Sequence, residues 1–143
     1  MLVDRRTATA RVARAGHLPP LLVSPGGVAE LVEGGGSPPL GAPAQERPEH
    51  TVVMPPGSMW VLYTDGLVED RTTGLDRGLP DLVERVTRLH ARHGLDAEAI
   101  ASALLTEVGV DGGGDDIALL RAGFAGTPAT PTPSPVERSA AGS

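Results

Sequence analysis

The chain has 143 residues, a formal net charge of −6 and 40% hydrophobic residues, enough for one domain and short for two. The acidic balance argues against nucleic acid or an anionic membrane surface as a partner, and the absence of cysteine excludes disulfides and thiolate chemistry. No apolar run approaches the ~20 residues of a membrane helix, and Met1 to Arg14 lacks the apolar stretch of a signal peptide, so a cytoplasmic protein is expected.

Residues 1–64 have a β character. Short apolar runs (Arg11 to Ala15, Leu21 to Ser24, Val28 to Glu33, Thr51 to Met54 and Met59 to Thr64) alternate with Gly/Pro clusters such as Pro25-Gly-Gly27 and Pro55-Pro-Gly57. That punctuation suits the hairpins of an antiparallel sheet. Residues 42–50 read as an exposed loop. With Trp60, Tyr63 and Phe124 as the three aromatics, the core falls to Leu, Val, Ile and Ala.

Residues 79–109 read as a helical hairpin. Leu79, Leu82, Val83, Val86 and Leu89 recur at helical spacing, and Ala97, Ile100, Ala101, Leu104, Leu105 and Val108 form a second stripe. Gly94 is placed to end the first helix and Asp96 to cap the second. Asp81 with Arg85, and Glu84 with Arg88, stand four apart on the outer face. A Gly-rich loop, Val110 to Gly114, precedes a last strand expected from Ile117 to Leu120. Residues 123–143, rich in Pro, Thr, Ser and Ala, read as a disordered tail behind a domain of residues 1–122.

Acidic residues sit unevenly against the apolar strands. Asp65 falls where the run Met59-Trp-Val-Leu-Tyr63 gives out, and Asp115 and Asp116 stand just before the run that begins at Ile117. If these strands are antiparallel neighbours, Asp65 and Asp115 share one edge of the sheet. Carboxylates so gathered repel unless protonated or bridged by a cation, and oxygen-only ligands suit Mg²⁺ or Mn²⁺. Taken singly, Asp65-Gly66 is also a common turn dipeptide, and a Gly-rich loop ending in Asp is also a common solvated turn. Spacing leaves both readings open. His17 reads as a loop histidine bonded to backbone in preference to a functional group, and His50, His90 and His93 as surface residues. Neither Ser24 nor Ser58 has the strand–turn–helix setting of a nucleophile. The Gly34 and Gly112 runs open no phosphate-binding helix.

Three segments together, Ala15-Gly-His-Leu-Pro-Pro-Leu-Leu22, Leu62-Tyr-Thr-Asp-Gly-Leu-Val-Glu69 and Gly114-Asp-Asp-Ile-Ala-Leu-Leu120, resemble the PPM-type phosphatases of the SpoIIE-like branch. Pro39-Leu-Gly41 and Pro56-Gly57 support the match, although Ser58 stands where that family usually has Asp. The resemblance implies an α+β fold, the C-terminal part of an αββα sandwich with a helical hairpin packed outside its antiparallel sheets. It implies a two-metal Mn²⁺ or Mg²⁺ site with Asp65 and Asp115 as ligands, Asp116 in a supporting role at most, and hydrolysis of phosphoserine or phosphothreonine on a protein. Substrates in this branch are often small anti-anti-sigma (STAS-type) regulators. The family's two upstream acidic motifs have no match between Met1 and Thr64, where Asp4 is the one Asp. The expectation is therefore an incomplete domain, not competent as this short chain alone, whose unpaired sheet edges favour self-association. The alternative is a non-catalytic remnant that binds a phosphoprotein or signalling partner.

Overall fold

A computed structural model describes residues 1–43, 46–68, 74–108 and 119–123. The expected Gly-rich loop, Asp115, Asp116 and the tail beyond Gly123 lie outside the described residues.

The β-rich first half folds as short strands, β1 (Leu2–Asp4), β2 (Thr9–Val12), β3 (Arg14–Ala15), β4 (Leu21–Val23), β5 (Ala29–Leu31), β6 (Gly36–Ser37), β7 (His50–Val53) and β8 (Met59–Tyr63). Two helices follow, α1 (Leu75–His93) and α2 (Ala97–Val108), and then β9 (Leu119–Gly123). The strands make an antiparallel sheet ordered β1-β2-β7, another ordered β5-β4-β8-β9, and a small parallel pair of β3 with β6.

Alternation along β8 explains the layering. Met59, Val61 and Tyr63 point to one face, where they join Leu21 and Val23 of β4, Leu82, Val86 and Leu89 of α1, and Ile100 and Leu104 of α2. Trp60 and Leu62 point to the other face, where they meet Ala10 and Val12 of β2 and Val52 of β7. The period-2 alternation of a strand thus feeds two cores. The layers run helix pair, four-stranded sheet, three-stranded sheet, which matches the expected α+β sandwich with its helical hairpin outside. On the far face of the three-stranded sheet Leu2, Arg11, Thr51 and Val53 are exposed. Each Leu or Val fully buried in these cores contributes about 1.5–3 kcal/mol. The indole N–H of buried Trp60 finds Met54 Sδ at 2.9 Å, so it carries no unmet donor.

The hairpin differs from the sequence reading at its start. α1 begins at Leu75, with Pro80 inside it, four residues before the expected Leu79. Gly94 closes it by donating to the His90 carbonyl at 2.7 Å, and Asp96 Oδ1 caps α2 by accepting the Ala99 N–H at 3.1 Å, both as expected. Arg88 pairs across the hairpin with Glu107 at 2.7 Å, not with Glu84 on its own helix. Among the described residues no helix is long and apolar enough to cross a membrane.

Candidate functional site

Asp65 stands where β8 leaves the sheet. Thr64 is still extended, and Asp65 then opens a short 3-10 turn, Asp65–Leu67. The Asp65 carbonyl accepts the Val68 N–H at 2.8 Å, and its Oδ1 accepts the Gly66 N–H at 3.0 Å. The carboxylate is exposed, while Leu67 and Val68 just behind it are buried and hold the turn to the core.

The turn is also pressed from the helix side. A Cβ at Gly78 of α1 would fall far inside the contact distance to the Val68 carbonyl oxygen, with the Val68 carbonyl carbon 2.8 Å away. Only glycine permits this approach, and it sets the distance between α1 and the backbone that carries Asp65.

The register of the four-stranded sheet brings other segments to the same end. β8 and β9 are antiparallel neighbours, with Tyr63 opposite Leu119, so β9 begins beside the point where β8 ends. That neighbour relation is the condition under which the sequence reading set the two acidic segments at one edge. Asp115 and Asp116 precede Leu119 by four and three residues and lie outside the described residues. On the other side β4 runs antiparallel to β8, with Leu21 opposite Val61 and Val23 opposite Met59. The loop that enters β4 is also tied to the end of β8, where the Tyr63 hydroxyl donates to the Pro19 carbonyl at 2.7 Å.

The loop that enters β4 is held from beneath. Arg14 donates from Nη1 to the His17 carbonyl at 3.0 Å, from Nε to the Gly34 carbonyl at 3.3 Å, and from Nη2 to the Glu33 carbonyl. Gly16 has φ +77°, and a Cβ there would lie 2.7 Å from Pro39 Cγ. Its N–H donates to the Ser37 carbonyl at 2.9 Å, so the segments around His17 and Pro39 are packed against each other. The His17 side chain is exposed, with Nδ1 2.6 Å from the Leu18 carbonyl oxygen, which matches the backbone-bonded loop histidine of the sequence reading.

Tyr63 and Arg14 were not singled out from the sequence. A buried tyrosine needs a partner for its hydroxyl, and that requirement was the available signal for Tyr63. Burial pushes its pKa up to about 12, with the nearby Arg14 charge opposing the shift. Arg14 carried no such signal, because carbonyls contributed by three separate residues leave no pattern in the letters.

Of the remaining histidines, His50 and His93 are exposed as expected. His90 is half-buried, and its Nε2 is enclosed with no hydrogen-bond partner among the described residues, a correction to the surface reading. Ser58 is buried at the opposite end of β8, and its Oγ likewise has no partner among the described residues. Among the described residues no three His, Cys, Asp or Glu side chains gather closely enough to hold a metal ion. Asp65 alone of the two expected ligands is described. Its donor chemistry, one solvent-facing carboxylate with no arginine among the described residues bonded to it, suits a hard cation.

The family model described as stage II sporulation protein E (SpoIIE) matches residues 1–125. Among solved structures, the RsbU and RsbW domains of Rv1364c from Mycobacterium tuberculosis align with a TM-score of 0.73 and 26% identity. The alignment covers 88% of this chain and 35% of that one, so the chain spans about a third of its solved relative. No curated protein matches.

Proposed function

The chain belongs to the stage II sporulation protein E (SpoIIE) family, a family of PPM-type phosphatases, and from that premise we propose that it contributes to metal-dependent hydrolysis of phosphoserine or phosphothreonine on a regulatory protein. The observation that carries the proposal is the pairing of β8 with β9, which sets the exit to Asp65 beside the strand that follows Asp115. Leu119 faces Tyr63, two residues before Asp65, and Asp115 stands four positions before Leu119 in the sequence.

Asp65 and Asp115 would hold Mn²⁺ or Mg²⁺. When bound, such an ion polarises a phosphoryl oxygen and lowers the pKa of water. The chain's own part is to fix the carboxylate. The 3-10 turn, the Gly66 N–H on Oδ1 and the buried Leu67 and Val68 hold Asp65 at the sheet's end. The substrate class is a phosphoprotein, with a small anti-anti-sigma (STAS-type) regulator as the specific proposal. The relative's RsbU and RsbW domains lend that proposal a regulatory setting.

A second reading is a non-catalytic module that binds a phosphoprotein. It draws on the lack of a three-residue ligand cluster among the described residues. Mn²⁺-dependent hydrolysis of an aryl phosphate by the purified chain decides between them. Turnover that falls at least about a hundredfold in Asp65→Asn supports catalysis. No turnover, with retained binding to a phosphorylated partner, supports the binding module.

A further inference from the structure

β7 is an edge strand. It pairs with β2 on one side and, among the described residues, with no strand on the other. The Met54 N–H donates to the Ala8 carbonyl at 2.8 Å, directly beyond the pair of Thr9 with Val53. In an antiparallel ladder, opposed residues alternate between pairs that exchange both backbone bonds and pairs that exchange none. Met54, Val52 and His50 therefore turn their N–H and C=O groups to β2, and Thr51 and Val53 turn theirs to the open edge. Both of those side chains are exposed, Val53 at 69%.

An open edge is a template for another strand, and proteins guard it with charge, proline or a bulge. The other outer strands of the two antiparallel sheets carry charge. β1 ends in Asp4, β5 has Glu30 at its centre and β9 has Arg121 at its centre. β7 contains no Asp, Glu, Arg or Pro. The nearest acid, Glu49, turns back to Arg11 of β2 at 2.9 Å and leaves the edge unguarded.

The occupant that fits this edge is a second copy of the same strand. A two-fold axis normal to the sheet at Val52 sets Thr51 opposite Val53 of the second copy, and both already turn their bonding groups outward. Each such pair exchanges both backbone bonds, and exposed Val53 gains a β-branched neighbour. Two three-stranded sheets become one continuous sheet. A register one residue away opposes groups that face β2, and one centred on Thr51 sets Val53 against Glu49.

We propose that β7 is a homodimer interface, pairing antiparallel with β7 of a second copy about Val52. The inference is independent of the phosphatase reading, because Asp65 follows β8 in the other sheet. Sedimentation velocity on the full chain over a concentration series, with amide exchange followed by NMR, tests it. The expected result is a rise from monomer to dimer mass with concentration. The Thr51 and Val53 amides should exchange about tenfold more slowly once about nine-tenths of the chain is dimeric. Val53→Lys adds the missing edge charge on an exposed side chain. It should keep the chain monomeric with an unchanged far-UV circular dichroism spectrum.

The register is read separately. The chain has no cysteine, so Val52→Cys adds a single thiol. Opposed residues in a pair without backbone bonds lie about 4.5 Å apart at Cα, within the reach of a disulfide. Oxidation should link the Val52→Cys variant into a covalent dimer and leave Thr51→Cys monomeric on a denaturing gel. A chain that stays monomeric throughout the series, or a dimer that survives Val53→Lys, overturns the proposal. Exchange at Thr51 and Val53 that ignores concentration overturns it too, as does a disulfide formed by Thr51→Cys in place of Val52→Cys.

Discussion

The hydroxyl of Tyr63 donates to the carbonyl of Pro19 at 2.7 Å, a bond that joins the strand leading to Asp65 to the loop carrying His17. Removing the hydroxyl leaves the Pro19 oxygen without this donor. Tyr63→Phe should therefore lower stability by about 1–2 kcal/mol. In urea unfolding this appears as a lower midpoint at unchanged slope.

The same group makes stability depend on alkaline pH. Burial raises the Tyr63 pKa from 10.0 to about 12, so the folded state retains its proton where the unfolded chain has lost it. A raised pKa stabilises fully below the unfolded value and is lost as pH climbs through the folded one. Stability should decline between pH 10 and about 12, and Tyr63→Phe should flatten that part of the profile.

Gly78→Ala tests the helix approach. Alanine is about 1 kcal/mol better than glycine inside a helix, so propensity alone predicts a gain. The added Cβ would overlap the Val68 carbonyl, and backbone on both sides leaves little room to yield. Overpacking of this kind costs about 1–3 kcal/mol or more, so we expect a net loss. For a domain of this size each kcal/mol is about 3–6 °C in Tm, measurable in a thermal melt. The Gly66 amide should shift as well, because the Asp65 turn rests on Val68.

Arg14→Lys should cost about 1–3 kcal/mol although the charge is kept. A guanidinium can serve the His17, Gly34 and Glu33 carbonyls at once, and a single ammonium on a flexible stem cannot hold that geometry. Hydrogen exchange at the amides of residues 16–18 should quicken.

Ser58→Ala should be neutral or stabilising by up to about 1 kcal/mol, since it removes a buried hydroxyl that has no partner among the described residues. Chemical denaturation reads this directly.

The sequence disclosed those parts of the fold governed by local rules. Gly/Pro punctuation marked β4, β5, β7 and β8, the periodic Leu and Val marked the paired helices, and Gly94 and Asp96 marked the turn between them. The pairing of β8 with β9 was only a condition in the sequence, since two apolar runs do not say that they are neighbours, and the structure supplies it. The first turn of α1 was hidden because Gly78 and Pro80 both argue against helix. In the structure the glycine is required by contact with Val68, and the proline sits five residues after the helix begins. β1, β3 and β6 are two or three residues long, too short to carry a period. At the candidate site Asp65 was legible from its place after an apolar run. The bonds of Tyr63 and Arg14 were not, since they join residues 44 and up to 20 positions apart.

β8 has a consequence for evolution as well as for stability. Sliding this strand by one residue would turn Trp60 toward the helices and Val61 toward the second sheet, spoiling both interiors in a single step. An insertion or deletion within Met59 to Tyr63 would therefore disturb both interiors at once, whereas one in a turn would leave the two-faced strand intact.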